Sequence, residues 1–345
     1  MHCKLPTIKD IARIAKVSPA TVSYVLNNTR YVSPDKVERV MKAVEEINYV
    51  PNAVARGLRV KVSKTIGLIV TDITNPFFPD LAKGCEDEAH AKGFNVVMIN
   101  TNDQSERTSS ALLQLRKGKL DGVIVASAKN QDGPLLEELL KQGYPIVLAH
   151  RKIPDLPVYA VVADNFKGTQ SAATHLLSLG HRKIGYITGV TDSNVNYDRL
   201  GGYQQAMSDA GIPILPEWIS QGHGRYEFSY QAALNIIDLP KEIRPTAIIA
   251  GNDMSALGVL DAALDKGLRV PEDLALIGVD DLFLAQSRAI QLTSVRIPRY
   301  DMGRQAARIL LDLIGQKRPS PPSECILPTH LIIRRTCGAI RKTVV

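Results

Sequence analysis

The sequence predicts a small all-α helix-turn-helix domain followed by an α/β core of two lobes built on parallel sheets. Three observations carry that prediction. Residues 7–27 show two short runs of helical apolar spacing joined by a tight turn. The excess positive charge is confined to the same end of the chain. From about residue 65 onward, apolar runs of strand length alternate with amphipathic helical stretches, and the alternation runs through two successive rounds.

The elements follow in order. Thr7 can cap a first helix, with Asp10 three residues on as a short version of the capping box. Ile8, Ile11, Ala12 and Ala15 then form one apolar face. Lys16-Val17-Ser18 supplies the turn, with Val17 as its apolar plug. Ser18 is a good N-cap and Pro19 suits the first position of a second helix. Val22, Val25 and Leu26 face inward on that helix, leaving Pro19, Ala20, Ser23, Tyr24 and Asn27 facing out. Ser33-Pro34 opens a third helix with Val37, Val40, Met41, Val44 and Ile47 on its expected buried face. Such spacing alone also fits a plain helical hairpin. Charge separates the two readings: residues 1–64 hold 12 Lys+Arg against 5 Asp+Glu, a difference equal to the chain's whole net charge of +7. A localised basic segment is what neutralising DNA phosphates requires.

Residues 48–64, NYVPNAVARGLRVKVSK, read as a linker in which Asn52 can cap a helix of about eight residues containing Ala53, Val54, Ala55 and Leu58. That is below the length at which an isolated helix persists in water, and Gly57 weakens it further. The expected divisions are therefore 1–48, 49–63 and 64–345.

In the third segment TIGLIV, FNVVMIN, DGVIVAS, YPIVLAH and YAVVAD make one round of strands, and RKIGYITG, TAIIAGN and LALIGVDD belong to a second. Apolar strands separated by helices imply parallel sheets covered on both faces. Ligands of such folds bind beyond the carboxyl ends of the strands, which between two lobes is a cleft. Asp164, after YAVVA, falls at an expected lobe crossover.

Composition excludes several classes. No stretch approaches the roughly 20 apolar residues of a membrane span, and the N-terminus carries no hydrophobic signal region, so a cytoplasmic location is expected. The four cysteines and seven histidines are dispersed, without the spacing of a disulfide framework or a metal site. No cofactor is expected. The phosphate loop GxxxxGK[ST], a GxGxxG after a strand and the GxSxG elbow are all missing, which argues against an enzyme on the same fold. A solute-binding receptor would need a secretion signal and no basic N-terminal segment.

With these residues in place, the chain resembles the lactose-repressor/galactose-repressor family of transcription regulators from Thr7 to about Arg335. The resemblance rests on Ser18–Asn27, Tyr49–Leu58, Thr65-Ile66-Gly67, Asn75-Pro76-Phe77-Phe78, Gly180-His181-Arg182, Arg199-Leu200-Gly201-Gly202-Tyr203, Asn252-Asp253 and Ile277-Gly278-Val279-Asp280-Asp281. It implies a helix-turn-helix, a hinge helix and a core of the periplasmic-binding-protein type. It further implies a homodimer on double-stranded operator DNA, controlled by a small polar effector: a sugar, a sugar phosphate or a nucleoside-like molecule. The effector's sign is left open, and a purine-type or catabolite-control regulator with a co-repressor, protein co-repressors included, is the alternative. The short tail after Arg335 favours a dimer over a tetramer.

The resemblance also assigns roles. Pro19, Ala20 and Tyr24 take the base-reading positions. Tyr24 stands where most relatives have Arg, so weak base discrimination by this helix is expected. Thr21, Ser23 and Asn27 are placed near phosphates, and Thr7 and Ser18 are also expected on the DNA-binding side. In the hinge, Leu58 is the residue expected to wedge into the central base step and kink the duplex, with Asn52, Ala55, Arg56 and Arg59 beside it on the DNA. In the core, Phe77, Phe78, Arg151, Asp164, Arg199, Asn252 and Asp280 are the expected effector contacts. Arg151 could instead pair with a neighbouring acid. Gly222-His223-Gly224 lacks an aromatic that relatives often carry there: either the stacking partner is missing or Tyr226 replaces it.

Overall fold

The computed structural model describes residues 6–49, 62–316 and 323–339. The chain divides into two compact units, with the boundary between Ser63 and Lys64. The hinge positions Asn52, Ala55, Arg56, Leu58 and Arg59 lie outside the described residues.

Among the described residues the first unit has three helices: α1 (Ile8–Ala15), α2 (Pro19–Asn27) and α3 (Pro34–Glu46). Its core is Ile11, Ala12, Ala15, Val22, Val40 and Ala43, closed by Tyr49. Lys16 adopts a left-handed backbone (φ 52°) and the Val17 amide donates to the Ala12 carbonyl, which turns the chain from α1 into α2. Ser18 caps α2 by accepting the Thr21 amide at 3.1 Å. At α1 the Asp10 carboxylate accepts both the Thr7 amide (3.0 Å) and the Thr7 hydroxyl (2.7 Å), so the acid rather than the threonine organises that cap. Met41 departs from expectation: it is 45% exposed, and Ala43 takes the inward place. On α3 the inward stripe runs Val40, Ala43, Val44, Ile47, and Met41 falls one step round from it.

The second unit contains two six-stranded sheets. The N-terminal lobe has β1 (Thr65–Val70), β2 (Asn95–Asn100), β3 (Gly122–Val125), β4 (Ile146–Ala149), β5 (Tyr159–Ala163) and β11 (Glu324–Leu327), in the order β11-β5-β4-β3-β1-β2. The C-terminal lobe has β6 (Ile184–Thr188), β7 (Ile219–Gln221), β8 (Ala247–Ala250), β9 (Ala275–Asp280), β10 (Thr293–Arg296) and β12 (His330–Ile332), in the order β12-β10-β9-β8-β6-β7. The two orders correspond strand for strand, as the restart of the sequence pattern predicts. Among the described residues every pairing is parallel except β10 with β12. FNVVMIN looked like a strand buried on both faces. It forms the sheet edge, which leaves Val97 and Met98 exposed.

The helices that matter for the site are α4 (Phe77–Ala91), α5 (Ser105–Arg116), α6 (Gly133–Lys141), α7 (Asn165–Ser178), α8 (Asn194–Asp209), α9 (Tyr226–Ile237), α10 (Asp253–Asp265) and α11 (Arg299–Ile314). The chain passes between lobes three times: at Asp164, at Ile297-Pro298, and at Pro328-Thr329 between β11 and β12. The second passage returns α11 to the first lobe, where it packs on α4. That contact depends on glycine. A Cβ on Gly84 would fall inside the van der Waals radius of the Tyr300 carbonyl oxygen, and one on Gly303 would meet the Leu81 carbonyl.

Candidate functional sites: a helix face and an interlobe cleft

In the first unit, Pro19, Ala20 and Asn27 are exposed on α2, and Thr21, Ser23 and Tyr24 are half-exposed on the same helix. Asn27 donates to the Ser23 carbonyl at 2.8 Å, so part of its amide is committed within the helix. Arg30, in the loop after α2, lies over the Tyr24 ring, its guanidinium carbon 5.3 Å from the centroid. Thr7 and Ser18 sit at the first turns of α1 and α2. Of the eight described residues assigned to DNA from the sequence, six lie on α2, Ser18 caps that helix and Thr7 takes the N-cap position of α1.

In the second unit, a cavity of about 380 Å³ opens between the lobes, within the usual size of a small-molecule site. Its walls come from segments that leave the carboxyl ends of strands. Thr71–Phe78 follows β1, Asp103 follows β2, and His150-Arg151 follows β4. Across the cleft, Gly189–Arg199 follows β6, His223–Glu227 follows β7, Gly251–Met254 follows β8, and Asp280 ends β9. In both lobes β1 and β6 start the point where strand order reverses, the place where an open parallel sheet leaves a crevice.

Arg199 is the buried centre of the C-terminal side. Its Nε donates to Asn165 Oδ1 (2.8 Å), one Nη to the Gly251 carbonyl (2.5 Å) and the other to Asp280 Oδ1 (3.2 Å). Burial pushes the Asp280 carboxyl pKa up, and Arg199 and Arg299 pull it back. Asp280 has a left-handed backbone (φ 115°), strained for a residue with a Cβ, and such strain gathers at ligand sites. Behind it, Asp253 accepts the Leu282 amide (2.7 Å) and the Ser294 hydroxyl (2.6 Å). Burial and the nearby Asp280 charge raise its pKa well above the usual range.

The N-terminal side has a matching pair. Arg151 is buried and donates to Asp103 at 2.7 Å, with its Nε left without a partner. The acid partner that was one of its two expected roles is therefore present. His150 also has a left-handed backbone (φ 64°), and its ring lies 4.4 Å from that of Phe77. Burial, then the charges of Arg199 and Arg151, hold its pKa well below 6.5, so the imidazole is neutral. Phe77 and Phe78 meet edge to face at 5.2 Å and begin α4, rather than lying in a turn before it.

Lobe-to-lobe bonds frame the cavity. The Lys152 amide donates to Asn194 Oδ1 at 2.9 Å. Arg299, on α11, holds Asp80 of α4 at 2.7 Å and also donates to the carbonyls of Asp280 and Asp281 at the end of β9.

Six of the seven expected effector residues line this cavity: Phe77, Phe78, Arg151, Arg199, Asn252 and Asp280. Asp164 does not. It caps α7 by accepting the Lys167 amide at 3.1 Å at the first lobe crossover, which turns its carboxylate to a structural use. Asn252 lines the cavity while capping α10 through Ser255 and donating to the Gly224 carbonyl. Tyr226 reaches the cavity too, with its hydroxyl tied to Asp261 at 2.5 Å. Sequence reasoning missed Asp72, Asp103, His150 and Asn196. The first three lie within three residues of the carboxyl end of a parallel strand, so applying the strand-end rule to every strand would have found them. Asn196 gives no such signal, because it lies in the first turn of α8 and accepts the amide of Gly189 from the loop after β6.

A helix-turn-helix unit joined to a two-lobed ligand-binding core defines a DNA-binding transcription regulator. Residues 7–52 match the lacI family of bacterial regulatory proteins, and residues 173–337 match the periplasmic binding protein-like domain. The chain is 35% identical to the HTH-type transcriptional repressor PurR of Haemophilus influenzae (strain PittEE), over 97% of this chain and 100% of that protein. It is also 35% identical to the ribose operon repressor of Haemophilus influenzae (strain ATCC 51907 / DSM 11121 / KW20 / Rd), over 95% and 98% of the two chains. Among solved structures, the lac repressor dimer bound to operator and the anti-inducer ONPF is similar with a TM-score of 0.86 and 26% identity, covering 97% of this chain and 99% of that one. The chain belongs to the lacI family. Among the described residues no helix is long and apolar enough to cross a membrane.

Proposed function

We propose that this protein is a repressor without catalytic activity, acting as a homodimer in the cytoplasm, whose operator affinity is set by a small uncharged polyhydroxylated effector in the interlobe cleft. The observation that carries the effector class is the state of the two buried arginines. Arg151 is neutralised by Asp103 on one lobe and Arg199 by Asp280 on the other. Asp72 adds a further acid, and His150 is neutral. A phosphate or carboxylate at the floor of the cavity meets two buried cations already paired with carboxylates, the remaining arginine of the lining, Arg225, being exposed, whereas hydroxyl groups find abundant acceptors and an imidazole that offers one donor and one acceptor. Phe77 and Phe78 supply the apolar wall that a sugar ring needs. Similarity to a ribose operon repressor supports a sugar; PurR is equally similar in sequence, and a nucleoside-like co-repressor is the second reading.

On the DNA side, Thr7, Ser18, Pro19, Ala20, Thr21, Ser23, Tyr24 and Asn27 form the proposed major-groove face. Leu58, with Asn52, Ala55, Arg56 and Arg59, forms the proposed minor-groove wedge. A thermal-shift panel tests the effector class: ribose, glucose and a disaccharide, inosine and hypoxanthine, against ribose 5-phosphate and gluconate. A neutral polyhydroxylated compound should stabilise by about 2.7 kcal/mol at a hundred times its dissociation constant, and stabilisation by hypoxanthine alone would favour the purine-type reading. Equal stabilisation by an anion contradicts the proposal.

A further inference from the structure

Arg299 opens α11 at a position that does not suit an arginine. It is buried, and it puts a cation at the positive end of the helix macrodipole. Its side chain is satisfied from two directions instead. Nε and one Nη donate to the same oxygen of Asp80, on α4 of the first lobe, at 3.1 and 2.7 Å. That Nη also reaches the Asp281 carbonyl at 3.3 Å, and the other Nη donates to the Asp280 carbonyl, both at the end of β9 in the second lobe. The guanidinium carbon lies 6.0 Å from the centroid of the Phe77 ring. Phe77 and Asp280 line the cavity from opposite lobes, whereas Arg299 and Asp80 stand outside the lining. Arg299 therefore reaches a wall and an acceptor of the cavity without entering it.

Asp280 needs such support. Its φ of 115° and the 52° of Asp281 put two consecutive residues with Cβ atoms in left-handed conformations, which persist only where the surroundings over-determine them. Part of the hold comes from their own lobe. The Asp281 amide donates to Ser294 Oγ at 3.0 Å, and the Leu282 amide donates to Asp253 at 2.7 Å. The carbonyls are held from the other side. That of Asp280 accepts Arg299 and, at 3.5 Å, the Ile297 amide, and that of Asp281 accepts Arg299. The planar guanidinium fork can serve these carbonyls only in one orientation, and Asp80 fixes that orientation.

We propose that Arg299 is a positioning residue of the effector site: bridging Asp80 of the first lobe to the Asp280 and Asp281 carbonyls of the second, it sets the pose in which the Asp280 carboxylate meets the effector. The acceptor on one lobe is then aligned by a carboxylate on the other, and effector affinity depends on a contact the effector never makes. This rests on the reading of the interlobe cleft as the effector site.

The test uses the full-length protein, first without ligand. Amide hydrogen exchange resolved at Asp281 and Leu282 reports the hold on this turn directly, because both amides are bonded there. Arg299→Met should speed exchange at these amides by roughly tenfold, while the central strands β3 and β8 exchange as in the wild type. Asp80→Ala should speed the same amides by roughly threefold, although Asp80 is on the other lobe. The double variant should exchange no faster there than Arg299→Met alone, because both changes break one bridge. Arg299→Lys should fall between, since one ammonium cannot span both partners. Two results overturn the proposal: Asp80→Ala leaves the turn at the wild-type rate, or Arg299→Met speeds the central strands as much as the turn, the mark of a purely structural arginine. Calorimetry with ribose as the probe measures the consequence. Arg299→Met should weaken ribose binding by roughly tenfold and Asp80→Ala by roughly threefold, and unchanged affinity in both also overturns the proposal. A wild type that binds no ribose would instead count against the sugar reading of the cleft, and the exchange result then decides the role of Arg299.

Discussion

The helix-turn-helix unit and the two-lobed core organise their polar groups at opposite ranges. In the first, Thr7 meets Asp10, Ser18 meets Thr21, and Asn27 meets Ser23, all within four positions along the chain. In the second, Arg199 reaches Asn165, Gly251 and Asp280, and Arg299 joins Asp80 to the end of β9. The small unit exposes a surface whose shape is set by caps and turns, whereas the core builds a cavity that exists only once distant strand ends are brought together. A surface made locally suits binding to a large regular partner such as DNA. A cavity made from both lobes responds to whatever occupies it, because closing it changes many contacts at once.

The largest expected effect falls on the long-range network. Arg199→Ala leaves Asp280 buried beside Asp253 with its main counter-charge gone, and should destabilise the core by about 3–5 kcal/mol. Adding Asp280→Asn should recover part of that loss. Denaturant melts of the single and double variants measure both, and strictly additive losses would break the claim that the two act as a pair.

Ile11→Ala comes next. It opens a cavity in a three-helix core, at about 2–5 kcal/mol, in a unit with few buried residues to absorb it. The first unit should unfold at a lower temperature while the melting of the core stays put. If both transitions shifted together, the two units would not be energetically separate.

The cleft histidine gives a smaller, pH-dependent effect. His150 has a folded pKa well below 6.5. Between that depressed value and 6.5 the unfolded chain binds a proton that the folded chain does not. Stability is therefore lost as pH falls below about 6.5, by at most about 1.4 kcal/mol per unit, and the loss levels off beneath the folded pKa. His150→Asn should flatten that part of the profile measured from pH 7.5 to 5. An unchanged slope would assign it to other groups.

Ser18→Ala is the smallest, at about 1 kcal/mol for a lost N-cap. It should lower the melting temperature of the first unit and leave ligand binding by the core untouched.

The same contrast of ranges decided how much was legible in the sequence. The three helices, the turn at Lys16–Ser18 and the cap at Ser18 follow from spacing and capping chemistry within a few residues. Met41 was misplaced because adjacent positions on a short helix differ by one angular step. Strand–helix alternation announced the parallel lobes, and the family resemblance placed Arg199, Asp280 and Asn252 at the cleft. The pairing of Arg151 with Asp103, the neutral state of His150 and the structural use of Asp164 depend on strand order and burial, which no local pattern carries. The return of α11 and β11 to the first lobe was missed for the same reason.

The central claim is that occupancy of the cleft and binding of the operator are one coupled equilibrium. The direct measurement is reciprocal: operator affinity by fluorescence anisotropy with and without a stabilising neutral sugar, and sugar affinity by calorimetry with and without operator. The account predicts the same factor in both directions, with tenfold in one requiring tenfold in the other, or about 1.4 kcal/mol. A sugar that binds the cleft tightly and leaves operator affinity unchanged would contradict it.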